Sequence, residues 1–386
     1  MSWNIRGWSI RMLNLPVGAH MKCYRESLII KSDRPIRALS SAVLNGGFRR
    51  VNSIIVRHVP KGFRCTDPEA YLATYVEGLG LTPDSTTGFI TAADLKCFGL
   101  SSLSLGKVKV STVATAGTSN SMRVGEKPAL ASNAGTVNII VLMNVRATDS
   151  CLVNAVQTVT EAKSLVFKEL DIRSSISHRL ATGTSTDAVM VGSAEDGPKH
   201  HYAGPGTALG MAIANTVYRA VKEAVEKHGG ATPNRPLLTR LEERGIRIKD
   251  LEDSFMENYI HHKALGSKIK VRRIFRGLLE EAASDHNVAA LVLGALHLDD
   301  DGYSGLIPSL PEKKYSRDPV SLLADEILGM AISNYIAGAK GVFEYVRFDR
   351  TKPGIIRKLG PFADDAVGAL VAGVSSNVYT KLGRRR

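Results

Sequence analysis

The chain has 386 residues, 44% of them hydrophobic and 23% charged, and carries a formal charge of +13. This length predicts two domains of ordinary globular composition, each able to bury its own core. The charge draws anions such as phosphate esters, but the cations are scattered and no aromatic residues interleave with the basic 268–276 stretch, which weighs against a nucleic-acid surface.

Four cysteines, Cys23, Cys65, Cys97 and Cys151, form no C-x-x-C pair. Their spacing excludes a zinc site and a disulfide framework, and predicts reduced thiols in a cytoplasmic protein. Residues 1–21 hold Arg6 and Arg11 but no apolar core of a signal peptide. That segment reads poorly as structure and is left unassigned, with Met21 as an alternative start. The longest apolar runs, such as Val288 to Leu298, reach about a dozen residues, whereas a membrane-spanning helix needs ~20.

Over residues 22–230, β-rich runs alternate with helical ones. Ser53 to Val59, Lys107 to Val113, Val137 to Val145 and Asp187 to Val191 are predicted strands. Several are continuous apolar runs, as in strands covered on both faces. Asn154 to Leu170 and Thr207 to Lys227 are predicted amphipathic helices; in the latter Leu209, Ile213, Val217, Val221 and Val225 recur every four residues. This half is α/β. Gly229, Gly230, Pro233 and Pro236 mark a boundary.

Over residues 237–386 strand signals nearly vanish. Leu237 to Glu243, Ile248 to His261, Ile269 to Ser284, Val288 to Leu298, Pro319 to Ala337 and Phe362 to Leu382 read as helices, giving an all-α domain. Asp318 is the expected N-cap of the 319–337 helix, with Pro319 in its first turn. The run Asp299-Asp300-Asp301-Gly302 lacks the spacing of a Ca²⁺ loop and reads as a solvated helix end.

The helical half concentrates acids where packing gives no reason for them. Asp325, Glu326, Asp349, Asp364 and Asp365 fall within residues 325–365, each in or beside an apolar stretch. Buried carboxylates are costly unless compensated, so the cluster, set near Arg347, Arg350 and Lys352, points to a Mg²⁺ site that handles phosphate. Adjacent helical residues project about 100° apart, so one of Asp325 and Glu326 can reach a metal while the other braces it. Asp364 and Asp365 open the last helix, where capping alone is a competing explanation. Asp349, flanked by cations, is expected to keep a low pKa, and Arg347 and Lys352 to hold phosphate oxygens.

The ordered set Asp325-Glu326…Gly329, Arg347-Phe348-Asp349…Lys352-Pro353 and Asp364-Asp365 resembles the phosphatidylglycerophosphatase A family, in particular its soluble α-ribazole-phosphate phosphatase branch. The resemblance implies Mg²⁺-dependent phosphomonoester hydrolysis. Asp325, Glu326, Asp349, Asp364 and Asp365 would serve as metal ligands or base, with no division of those roles set by the sequence.

The first half is dense in Gly, Ser, Thr and Asn at loop positions, which let a backbone approach a ligand and offer neutral hydrogen-bonding groups. No phosphate-loop, serine-hydrolase or zincin motif occurs. The series TAGTSNSMRVG (115–125), GTVNIIVLMN (135–144), TEAK (160–163), ATGTSTDAVMV (181–191) and YAGPGTALG (202–210) resembles the adenosylcobinamide amidohydrolase family. This implies cleavage of the amide joining the corrin side chain to aminopropanol, without an external cofactor. Asp187, following Thr184, could act as base or orient a hydroxyl; Glu161 and His58 are further catalytic candidates. Asn45, Asn120 and Asn138 are candidate oxyanion or corrin-amide donors.

The expectation is a bifunctional corrinoid-salvage enzyme that binds adenosylcobinamide and α-ribazole phosphate, binds no nucleic acid, and is open to homo-oligomerisation. The alternative keeps one live site, with the other domain a corrinoid-binding or scaffolding module.

Overall fold

Strand and helix patterning carries over into a computed structural model that describes residues 13–127, 135–228, 231–261 and 266–383. The chain divides into two units, Met1–Pro233 and Asn234–Arg386.

The first unit is a curled, mixed nine-stranded sheet with helices. Its strands are β1 (Leu13–Leu15), β2 (Ala19–Tyr24), β3 (Ser27–Ser40), β4 (Gly47–His58), β5 (Thr86–Thr91), β6 (Gly99–Leu105), β7 (Val108–Ala116), β8 (Val137–Met143) and β9 (Ala188–Ser193). One path runs β1-β2-β3-β9-β8-β7-β6, and β4 pairs with β3 and β5. The β4–β5 and β8–β9 pairs are parallel and the others antiparallel. Strand β8 shows why its run is apolar throughout. Val137, Ile139, Val141 and Met143 face one core, formed with helices α2 (Asp149–Glu169) and α3 (Ala208–Lys227), while Ile140 and Leu142 face a second core against β2, β3 and β4. Thr148 and Thr207 cap the two helices through their hydroxyls. Helix α1 (Pro68–Gly78) packs Leu72 and Val76 beside Leu44 and Ile55.

Five strands lie outside the sequence expectations: β1, β2, β3, β5 and β6. A register shift between Lys31 and Ile36 lets β3 carry Lys31, Asp33, Arg34 and Pro35 without breaking the sheet. The segment before residue 22 is also less empty than it reads, since β1 and β2 begin at Leu13 and Met21 is buried within β2.

The second unit is nearly all helical: α4 (Leu237–Glu243), α5 (Ile248–Asn258), α6 (Lys268–Ser284), α7 (His286–Tyr303), α8 (Glu312–Tyr315), α9 (Ala324–Ala337), α10 (Ala339–Thr351) and α11 (Pro361–Gly383). Helix α11 is apolar all round and runs through the core, as a helix must when its neighbours cover every face. Its small residues let those neighbours approach: a Cβ at Gly373 would lie 2.8 Å from Ile336 of α9. Helices α9 and α10 form a hairpin joined at Gly338, whose φ of 64° suits glycine. No described helix is long and apolar enough to cross a membrane.

Two expectations need correction. The helix read from Pro319 begins at Ala324, and Asp318 takes a φ of 51° instead of capping it. The run Asp299–Asp301 does lie at the end of α7, with Asp301 exposed, but Asp299 is half-buried and bonded to the Tyr315 hydroxyl instead of being solvated.

Candidate active sites

In the first unit, Asp187 immediately precedes β9 and Lys163 lies on the buried side of α2. Their side chains, 12% and 11% exposed, form an ion pair at 2.5 Å. The Asp187 carboxylate also accepts the Thr184 hydroxyl, the Thr184 N–H at 3.1 Å and the Val137 N–H at 3.1 Å. Four contacts of this kind engage both oxygens, so the carboxylate orients Thr184 and Lys163. Gly183 makes room for the pair, because a Cβ there would overlap Asp187 and Lys163.

Beside this pair lies a cavity of about 460 Å³ lined by Phe63, Asn120, Gly135, Asn138, Ser185 and Thr186, among others. Asn120 Nδ2 donates to Ser185 Oγ at 2.7 Å, while its buried Oδ1 has no hydrogen-bond partner. Asn138 is almost fully buried and its amide donates to the Ile90 carbonyl at 3.2 Å. The cavity therefore combines apolar walls with a few convergent amide and hydroxyl groups, the composition of a small-molecule site.

Three sequence candidates stand apart from it. Asn45 donates to the Pro83 and Thr86 carbonyls at 2.7 and 2.8 Å and pins the loop before β5. Glu161 is exposed on α2, away from buried Lys163 two residues on. His58 lines a separate cavity with Cys23 and His228. Lys163 and Ser185 are the residues the sequence reading passed over. TEAK marked the first, but its partner is 24 positions away and only the α2–β9 packing joins them.

In the second unit, the first turn of α9, the last turns of α10 and the first turn of α11 meet. Carboxylate oxygens of Asp325, Glu326 and Asp365 lie within 4.8 Å of one another. Asp349 and Asp364 flank them and interact with them electrostatically. Tyr345 donates its hydroxyl to Asp365 Oδ1 at 2.6 Å, and it reaches across α9 only because a Cβ at Gly329 would overlap its ring. Lys352 ends α10 in a left-handed conformation, φ 38°, and its ammonium meets Asp364 at 2.6 Å and Asp318 at 3.3 Å.

The electrostatics follow burial. Desolvation, reinforced by Glu326, pushes Asp325 up to about 8. Desolvation likewise pushes Asp364 up to about 7 against the pull of Lys352, and Asp365 up to about 6 against the Tyr345 hydrogen bond. Asp349 is also raised: burial and Glu326 outweigh Lys352 and Arg350, which corrects the expected low pKa. Burial works against the Lys352 ammonium, but its hydrogen bond to Asp364 wins and its pKa rises.

Arg347 does not join this group. It pairs with Glu344, donates to the Asn258 carbonyl at 2.7 Å, and so spends its guanidinium on the α5–α10 packing. Asp318 takes its place in the site, an acid that looked like a helix cap in the sequence.

The residues fit a divalent cation. Glu326 Oε2 and Asp364 Oδ1 are buried without hydrogen-bond partners, and an unmet buried acceptor calls for a donor or an ion. All donors are carboxylate oxygens, which suits hard Mg²⁺ or Mn²⁺ and disfavours Zn²⁺.

Both units match families of hydrolases. The chain belongs to the adenosylcobinamide amidohydrolase family, whose model matches residues 12–233, and residues 304–379 carry a phosphatidylglycerophosphatase A domain. The chain is 31% identical over 213 residues to the adenosylcobinamide amidohydrolase of Methanosarcina mazei, a match covering 53% of this chain and 96% of that protein. It is 35% identical over 131 residues to an uncharacterized protein of Methanocaldococcus jannaschii, covering 33% of this chain and 98% of the relative. Among solved structures, the low temperature requirement C protein from Listeria monocytogenes is 27% identical over 38% of this chain and 93% of its own, with a TM-score of 0.33.

Proposed function

We propose that the protein is a bifunctional hydrolase of corrinoid salvage. Its first unit cleaves the aminopropanol amide of adenosylcobinamide to leave adenosylcobyric acid, and its second removes phosphate from α-ribazole 5′-phosphate. The convergence of Asp325, Glu326 and Asp365 within 4.8 Å carries the second assignment; family membership carries the first.

In the helical unit, Asp325, Glu326 and Asp365 would hold a Mg²⁺ ion, and Asp349 and Asp364 flank these three carboxylates. Bound there, the cation supplies Lewis-acid polarisation of a phosphoryl oxygen and lowers the pKa of water. Lys352, kept charged by Asp364 and Asp318, binds the substrate's phosphate oxygens as a point charge. Tyr345 fixes the orientation of Asp365.

In the first unit, Asn120 and Asn138 meet the polar amides of the substrate at the cavity wall. The unpartnered Asn120 Oδ1 accepts a substrate N–H, and its Nδ2 orients the Ser185 hydroxyl. The Lys163–Asp187 pair holds the Thr184–Thr186 turn against β8.

A two-substrate assay tests the proposal. The full chain should release aminopropanol from adenosylcobinamide with or without Mg²⁺, and phosphate from α-ribazole phosphate only with it. Absence of either product rejects the corresponding half.

A further inference from the structure

The Asp299 run is absorbed by neither site, yet Asp299 touches the helix that carries two of the acids. Its carboxylate, projecting from α7, accepts the Tyr315 hydroxyl at 2.5 Å and the Ala363 N–H at 3.3 Å. Tyr315 in turn accepts the Phe362 N–H at 3.4 Å. Phe362 and Ala363 lie in the first turn of α11, directly before Asp364 and Asp365. Backbone N–H groups of a first helical turn have no partner within the helix; here the Asp299 carboxylate on α7 accepts one of them directly and the Tyr315 hydroxyl that it holds accepts another.

The surroundings are built to this arrangement. Tyr315 is fully buried and lies over Gly302, where a Cβ would overlap its ring. Tyr315 also stacks on Phe362, with ring centroids 6.2 Å apart. Gly360 lets the chain pass Asp299, since a Cβ there would overlap the carboxylate and come within 2.6 Å of Tyr303. Three elements, α7, α8 and the start of α11, are thus fixed about one carboxylate.

We infer that Asp299, acting through Tyr315 and the Phe362–Ala363 backbone, is a positioning residue that sets the placement of Asp364 and Asp365 in the acid cluster. The inference rests on the metal-site reading above. Without an acceptor at 299, the first turn of α11 loses its anchor, and the two acids no longer hold station opposite Asp325 and Glu326.

The test is Mn²⁺ binding to the full chain by calorimetry, well below the unfolding temperature. Outer-shell partners of metal ligands typically change affinity 10–100-fold when removed, so Asp299→Ala should weaken Mn²⁺ by about tenfold or more. Asp299→Asn, which keeps an oxygen for the Ala363 N–H, should restore affinity to within about threefold of wild type on the same scale. A scaffold role alone predicts a lower unfolding temperature with unchanged Mn²⁺ affinity, and that result overturns the inference. Should the alanine variant fail to fold, Tyr315→Phe keeps the ring and removes the linking hydroxyl; wild-type Mn²⁺ affinity there overturns the inference equally. A wild-type chain that binds no Mn²⁺ rejects the metal site itself, a distinct outcome.

Discussion

Lys163 and Asp187 form a 2.5 Å ion pair with little solvent access on either side, joining the middle of α2 to the first residue before β9. Breaking one side of such a pair leaves a buried charge unmatched, which costs about 3–5 kcal/mol. Lys163→Met should therefore lower the calorimetric transition of the first unit and abolish aminopropanol release. Adding Asp187→Asn to Lys163→Met should recover part of the lost stability, because the remaining group is neutral. A double variant as unstable as the single one would show that the pair contributes nothing through charge.

Asp325→Asn and Asp365→Asn should each abolish Mg²⁺-dependent phosphate release while leaving aminopropanol release at wild-type rates. The two assays on one preparation check this. Loss of both activities would indicate unfolding instead of a lost ligand.

Gly329→Ala places a methyl group in the Tyr345 ring. Overpacking of this kind costs about 1–3 kcal/mol, and here it also displaces the hydroxyl from Asp365. Phosphatase activity should fall more than the stability of the helical unit, as read from kcat alongside thermal unfolding. Tyr345→Phe, which keeps the ring, should lower Mg²⁺ affinity without the packing cost.

Arg347 and Lys352 should behave oppositely. Arg347→Lys should leave KM for the phosphate ester near wild type, since the guanidinium is engaged by Glu344 and the Asn258 carbonyl. Lys352→Met should raise KM strongly. Steady-state kinetics at saturating Mg²⁺ separate the two, and a large KM effect at Arg347 would contradict the geometry.

The acids also set a pH dependence. Asp325, Asp364 and Asp365 have folded-state pKa values raised to about 8, 7 and 6, chiefly by burial. The metal-free folded state therefore binds more protons than the unfolded chain between about pH 4 and 8. The stabilising contribution is complete below the unfolded carboxylate range and is lost as pH rises through the folded values. In chelator, the melting temperature of the helical unit should fall from pH 5 to pH 8. Mg²⁺ displaces these protons, so its affinity should rise over the same interval and restore the lost stability. Melting curves with and without Mg²⁺ at several pH values test the sign.

Much of this was legible in the sequence, and the gaps have physical causes. The Val137 run and the four-residue repeat of 209–225 identified β8 and α3 because burial on a fixed face writes a period into the chain. Helix α10 was hidden because a single residue, Gly338, turns the chain between two helices, leaving no polar linker to read. Asp318 beside Pro319 has the form of a helix start, yet its side chain is drawn to Lys352, a partner 34 positions away. The acids were found because carboxylates stand out among apolar residues. Arg347 stands next to Phe348 and Asp349 in the chain, yet its guanidinium goes to Glu344 and to the Asn258 carbonyl, a partner 89 positions away that the local pattern does not mark. Asp299 looked solvated because nothing local announces Tyr315 and the start of α11 as its neighbours.

Lys352 holds a backbone shape that side chains with a Cβ adopt reluctantly, at a cost of about 1–3 kcal/mol, and proline follows it immediately. Asparagine tolerates that shape better, and would relax the bend while removing the ammonium that faces Asp364. The same replacement would leave the buried Asp364 carboxylate without its counter-charge, so the ion pair with Asp364 offsets the strain that a lysine carries at this bend.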